Sequence, residues 1–125
     1  MRLNRRDSAE KARPDWLWQP HAWPETLYIW LLDQSGQITA TLSESGGGWH
    51  VSVPLPDIAR AIVTTGATHL VMAHSHPSGD PRPSEADVAA TRQVWRLARA
   101  LGASLQDHVI VGVERRFSFR ANGLL

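Results

Sequence analysis

The stretch from Ala73 to Asp87, AHSHPSGDPRPSEAD, concentrates the residue types that could do chemistry. His74 and His76 are two positions apart at the end of an apolar run, so in extended backbone both imidazoles project to the same side. Two imidazoles converging this way can chelate one divalent metal. Pro77 to Pro83 is rich in turn formers, and Ser84 opens a helical pattern whose first turn holds Asp87. A carboxylate there can swing back over the histidines. Two neutral nitrogens and one carboxylate oxygen leave a fourth tetrahedral position for water, which is how catalytic zinc sites differ from closed structural ones. The same donor set favours zinc over magnesium or calcium, whose shells are all oxygen. Zinc lowers the pKa of a bound water from about 15.7 to about 7, and a nearby carboxylate must then carry the proton to the leaving group. Read locally, Ser84 and Asp87 are also an N-terminal capping arrangement, and a lone His-x-His pair is a weak metal signal. The joint spacing is what points to a metal: histidines at strand period, a tight loop, then an acid at a helix start.

The elements that must position these residues follow from patterning. Thr26 to Leu32 is β-branched and aromatic and reads as a buried strand ending at Asp33. Asp33-Gln34-Ser35-Gly36 supplies turn chemistry, and Gln37 to Leu42 alternates as the hairpin partner. Gly46-Gly47-Gly48 reads as a turn, and Trp49 to Val53 as a third strand. Asp57 to Thr65 reads as a helix closed by Gly66, and His69 to Ala73 as a short apolar strand. Ser84 to Leu101 is the longest helical pattern, with Val88, Trp95, Ala98 and Leu101 on one face and Arg92, Arg96 and Arg99 largely off it. Asp107 to Gly112 and Arg116 to Phe119 make a last pair of strands. Strands first, then alternating helix and strand, predict a single α/β domain with a mixed central sheet flanked by helices.

Composition narrows the function classes. A chain of 125 residues allows one core of normal size. It has no cysteine, so disulfides, thiolate zinc sites and cysteine nucleophiles are excluded and any metal rests on histidine and carboxylate. Net charge is +1, which argues against a strong phosphate-binding surface, although the arginines of the Ser84 helix form a local stripe. No apolar stretch is long enough to cross a bilayer, and the basic start (Arg2, Arg5, Arg6) has no apolar segment after it, so a cytoplasmic protein is expected. Residues 1–24 stand apart: a polar start, then Pro14, Trp16, Trp18, Pro20, Trp23 and Pro24. They read as an irregular arm whose tryptophans either pack on the domain or dock a partner or a second copy, and oligomeric state stays open.

The pattern His-x-His, seven residues, Ser, two residues, Asp, met by His74, His76, Ser84 and Asp87, resembles the signature of the JAB/MPN (JAMM) metalloprotease family. The wording HSHPSGDPRPSEAD followed by LGASLQDHVIVG is similar to its RadC-like branch, over residues 25–125. One departure is Ser75, where RadC-like proteins commonly have asparagine. The resemblance implies a stand-alone JAB domain with the cytidine-deaminase-like three-layer arrangement, one zinc per chain, and hydrolysis of a peptide or protein amide, isopeptide-linked conjugates included. It assigns the general base to Glu25, at the head of the first strand, with Glu44 as a poorer fallback in a Ser/Gly loop. It assigns oxyanion stabilisation to Ser84. Asp107 and His108 also match the branch and read either as a polar pair at a strand entrance or as support for a ligand. His21, His50 and His69 read as surface or packing residues. Two other classes remain: a JAB-fold binding module without turnover, and a DNA-repair-associated protein.

Overall fold

The computed structural model describes residues 25–45, 53–76, 79–112 and 114–125. The arm 1–24, with His21, lies outside them, as do the Gly46–Gly48 connection, His50 and most of the predicted Trp49–Val53 strand. Five strands form one mixed sheet: β1 (Thr26–Leu32), β2 (Ile38–Ser45), β3 (His69–Ser75), β4 (Ser104–Val111) and β5 (Arg116–Ser118), in the order β2-β1-β3-β4-β5. Two helices, α1 (Leu55–Thr65) and α2 (Glu85–Ala100), complete the described elements.

β1 has a strand on either side, antiparallel to β2 and to β3, and is buried along nearly its whole length. That explains a continuous apolar run instead of alternation. β2, at the edge, alternates between half-buried and exposed. The turn joining them is organised by Asp33, whose Oδ1 accepts the backbone N–H groups of Ser35 (2.9 Å) and Gln37 (3.0 Å). β3 pairs with β4 in parallel, and α2 makes the crossover between them. On one face, Ile29 and Leu31 of β1, Leu70 and Met72 of β3 and Leu105 of β4 pack against Ile58 and Ile62 of α1 and Val94 and Ala98 of α2. Burying each large aliphatic side chain of this set stabilises the fold by roughly 1.5–3 kcal/mol. The opposite face carries a second buried cluster around Trp30, Leu32, Val71 and Ala73, with Tyr28 stacked on Trp30. Among the described residues both helices lie on the first face.

Several expectations shift. α1 begins at Leu55, two residues before the expected Asp57, because a proline in the first helical turn has no N–H to lose. Its end is as expected: Gly66 adopts a left-handed conformation (φ 68°) and donates its N–H to the Ile62 carbonyl. On α2 the buried stripe is Asp87, Thr91, Val94 and Ala98: Ala98 is buried as expected, Val88 is half-buried, and Trp95 and Leu101 are each 39% exposed. This stripe buries a polar pair that serves the site, at the expense of two larger apolar side chains. β4 starts at Ser104, three residues before the expected Asp107, and a bulge follows, with Leu70 opposite Leu105 but Val71 opposite Asp107. β2 runs on to Ser45, so Glu44 lies in a strand opposite Leu27 and not in a loop.

Candidate metal centre

The site forms where β1 begins and β3 ends. Leu27 pairs with His74, and continuing that register sets Glu25 opposite His76, on the face that carries the helices. Ser75, fully buried between the histidines, points to the other face and accepts the Thr26 N–H on its Oγ at 3.1 Å. This bond ties the strand ends together one residue from Glu25. Gly79 and Pro81 pack closely against Gly112, just past the end of β4. A side chain at Gly112 would fall on the Gly79 carbonyl oxygen and within 2.9 Å of Pro81 Cδ, so only glycine lets the backbone after β4 lie this close to Gly79 and Pro81.

Asp87 arrives from α2. Ser84 is the N-cap: its Oγ accepts the Asp87 N–H (3.0 Å), and Asp87 Oδ2 accepts the Ser84 N–H (2.8 Å). The capping expectation therefore holds, and it coexists with a place in the site. Asp87 Oδ1 lies 3.4 Å from His74 Nδ1 and Oδ2 lies 3.1 Å from His76 Nε2, so one carboxylate faces both imidazoles. Glu25, 8% exposed, places Oε1 3.4 Å from His74 Nε2. Glu25, His74 and His76 can each offer a ligand atom within 4.8 Å of the others. Structure thus gathers Glu25, His74, His76, Ser84 and Asp87, whereas Glu44 makes no described contact with them.

The electrostatics suit a cation. Burial works against a charged His74, but the carboxylates of Asp87 and Glu25 outweigh it and push its pKa up to about 9. His76 moves in the same direction: burial opposes its charge, and Asp87 and the Asp80 carbonyl prevail. Asp87 is drawn well below the usual carboxylate range, its own desolvation being outweighed by bonds from His74, His76 and the Ser84 backbone. His76 Nδ1 lies 2.8 Å from the Asp80 carbonyl oxygen, which can only accept. The proton is therefore on Nδ1, and Nε2 presents its lone pair towards the site when the ring is neutral. His74 Nε2 and Glu25 Oε2 are buried without a hydrogen-bond partner among the described residues. Unsatisfied donors and acceptors of this kind are costly unless something binds them. A divalent cation in place of the His74 proton would satisfy them, so these residues fit a metal.

Three residues behind the site escaped sequence reasoning or were left undecided by it. Thr91 donates its hydroxyl to the Asp87 carbonyl (2.6 Å) and meets His108 Nδ1 at 2.6 Å. Since that hydroxyl has one proton, His108 donates from Nδ1, and its Nε2 is a buried acceptor without a partner among the described residues. The His108 ring stacks on His74 (5.9 Å between centroids) and on Phe119 (4.7 Å). Burial, then the positive charge of His74, push His108 down to about 3, so it is neutral. Asp107, by contrast, turns away to accept from Ser118 Oγ (2.6 Å) and the Arg120 N–H (3.0 Å). The Asp107-His108 pair therefore divides: His108 backs the site, and Asp107 anchors the chain's final turn. Ser75 is the third, visible in the sequence only as the residue between two histidines. His69 bonds Thr68 Oγ1 (2.7 Å) at the other end of β3, as expected of a packing histidine.

Fold and cluster together define an α/β domain with a side-chain group that could hold a metal ion. A family model for the RadC-like JAB domain matches residues 4–124, and the chain belongs to that family. It is 39% identical over 106 residues to a UPF0758 protein of Rhodobacter capsulatus, covering 84% of this chain and 50% of that protein. It is 42% identical to a UPF0758 protein of Porphyromonas gingivalis, covering 81% and 45%. The chain thus spans about half the length of the curated relatives it matches. Among the described residues, no helix is long and apolar enough to cross a membrane.

Proposed function

We propose that this domain is a zinc-dependent amide hydrolase acting on a peptide or on an isopeptide-linked protein conjugate. The observation that carries the reading is the convergence of Glu25 on the histidine pair: a carboxylate from the head of β1 is buried against His74, with Asp87 on the other side of the same ring. His74, His76 and Asp87 would hold the metal, a nitrogen-nitrogen-oxygen set that suits zinc. Bound zinc would polarise the scissile carbonyl and bring a water to hydroxide at neutral pH. Glu25 takes the proton from the attacking water and returns it to the leaving nitrogen, so that an amine departs. Ser84 uses its Oγ lone pair to accept the Asp87 N–H, which leaves the hydroxyl proton for the developing oxyanion. The same geometry would let Glu25 serve as a ligand in place of a base, and one variant separates the two roles. Purified protein should hold about one zinc per chain by elemental analysis. Glu25→Gln should keep that zinc and lose peptidase activity by a factor on the order of 100 or more. Loss of zinc in that variant would make Glu25 a ligand, and unchanged activity would remove it from the chemistry.

A further inference from the structure

A cleft of about 360 Å³ lies between α2 and the chain's final turn. Buried Thr91 and Phe119 line it from within, and Trp95 and Leu124 flank it, 39% and 47% exposed. Only four large apolar residues are that exposed among the described residues, and two of them border this cleft. Its size is at the small end for ligand sites, enough for part of a peptide and too little for a large cofactor.

The charged side chains that line it are all basic. Arg92 and Arg96 line the same cleft, and Arg99 lies over the Trp95 ring at 5.2 Å. Arg92 and Arg96 are one helical turn apart, and no acidic residue stands three or four positions from either along α2. Like charges at that spacing destabilise a helix. Among the described residues neither has an ion-pair partner. An anionic ligand would relieve the repulsion and make charge-assisted hydrogen bonds with both guanidinium groups. Arg99 already occupies one face of the indole, so Trp95 is less a flat platform for stacked bases than one wall of an apolar slot.

We propose that this cleft binds a peptide segment of a partner protein, placing a bulky apolar side chain between Trp95 and Leu124 and a neighbouring carboxylate on Arg92 and Arg96. The cleft is separate from the metal centre: Thr91 and Phe119 stand between them, each touching His108, and His108 in turn stacks on His74. Peptide binding here does not depend on hydrolysis at the metal.

Fluorescence anisotropy with the full chain and a fluorescein-labelled Gly-Ser-Leu-Phe-Glu-Glu peptide tests it. Saturable binding is expected, weakened by salt and unchanged after the metal is stripped with chelator. The double variant Arg92→Glu/Arg96→Glu, and separately Trp95→Ala, should each weaken it by about tenfold or more, with circular dichroism confirming the fold. Peptides ending Ala-Ala-Glu-Glu or Leu-Phe-Lys-Lys should bind at least about tenfold more weakly. No saturable binding would overturn the proposal, as would equal binding of the lysine peptide or indifference to the arginine reversals. Preferential binding of a labelled oligothymidylate would overturn it in favour of a nucleic-acid surface.

Discussion

Two neighbouring histidines on adjacent strands of the same sheet face have opposite surroundings. His74 sits between the carboxylates of Glu25 and Asp87 and is held as a cation up to about 9. His108, stacked on it, sees Phe119 and a single hydroxyl and is held neutral down to about 3. Burial disfavours the charged form of both. The difference lies in the partners: carboxylates reverse the effect of burial, and an aromatic ring does not. One histidine is thus held charged between two carboxylates, in a group that could hold a metal ion, and the other is held neutral beside it.

The contrast breaks most visibly by deleting each ring. His74→Ala should lower zinc affinity by more than about 100-fold, beyond the loss typical of residues that only support a ligand. His108→Ala should leave one zinc bound while lowering stability by about 2–4 kcal/mol, because it opens a cavity beside Phe119. Competition with a chelator and thermal melts read the two effects, and equal zinc loss in both variants would erase the distinction.

A smaller effect comes from pH. With chelator present, His74 contributes stability that is complete below its ordinary pKa of 6.5 and is lost as pH rises through about 9. His108 contributes in the opposite sense: its share is complete above 6.5 and is lost as pH falls towards about 3. Metal-free protein should therefore melt highest near pH 6.5 and decline on both sides. On the proposed function, saturating zinc would take the place of the His74 proton and should abolish the alkaline decline. A metal-free profile that keeps rising to pH 9 would contradict the assignment of His74.

The smallest change tests how the Glu25 side is positioned. Ser75→Ala removes the bond to the Thr26 N–H and should cost about 1 kcal/mol of stability. On the proposed function it should lower kcat several-fold with little change in KM, since it loosens the base and not the substrate. An equal rise in KM would show that Ser75 acts elsewhere.

What was legible in the chain was local. β1 matched its apolar run because both faces are buried, and the Gly66 and Ser84 caps matched because each depends on residues within one turn. The approach of the histidine pair and Asp87 was legible from spacing and family likeness together, and Glu25 only through family likeness, since 49 residues separate it from its partner His74. The buried face of α2 was misplaced because apolar periodicity does not anticipate Asp87 and Thr91 turning inward. The start of β4 was missed because a bulge shifts its register through Gln106, Asp107 and His108. Which of two adjacent residues, Asp107 or His108, faces the site depends on that same shift. No local pattern encodes it.

The bond between the Ser84 N–H and Asp87 Oδ2 gives the site a reach beyond its own atoms. The carboxylate that faces both imidazoles also holds the first turn of a 16-residue helix. Filling the site and closing that turn are thus linked equilibria, and whatever binds the folded form deepens both. Amide hydrogens at the start of α2 should exchange with solvent more slowly once zinc is added, while those near Ala100 keep their rate. The helix end becomes a gauge of occupancy, readable without any substrate.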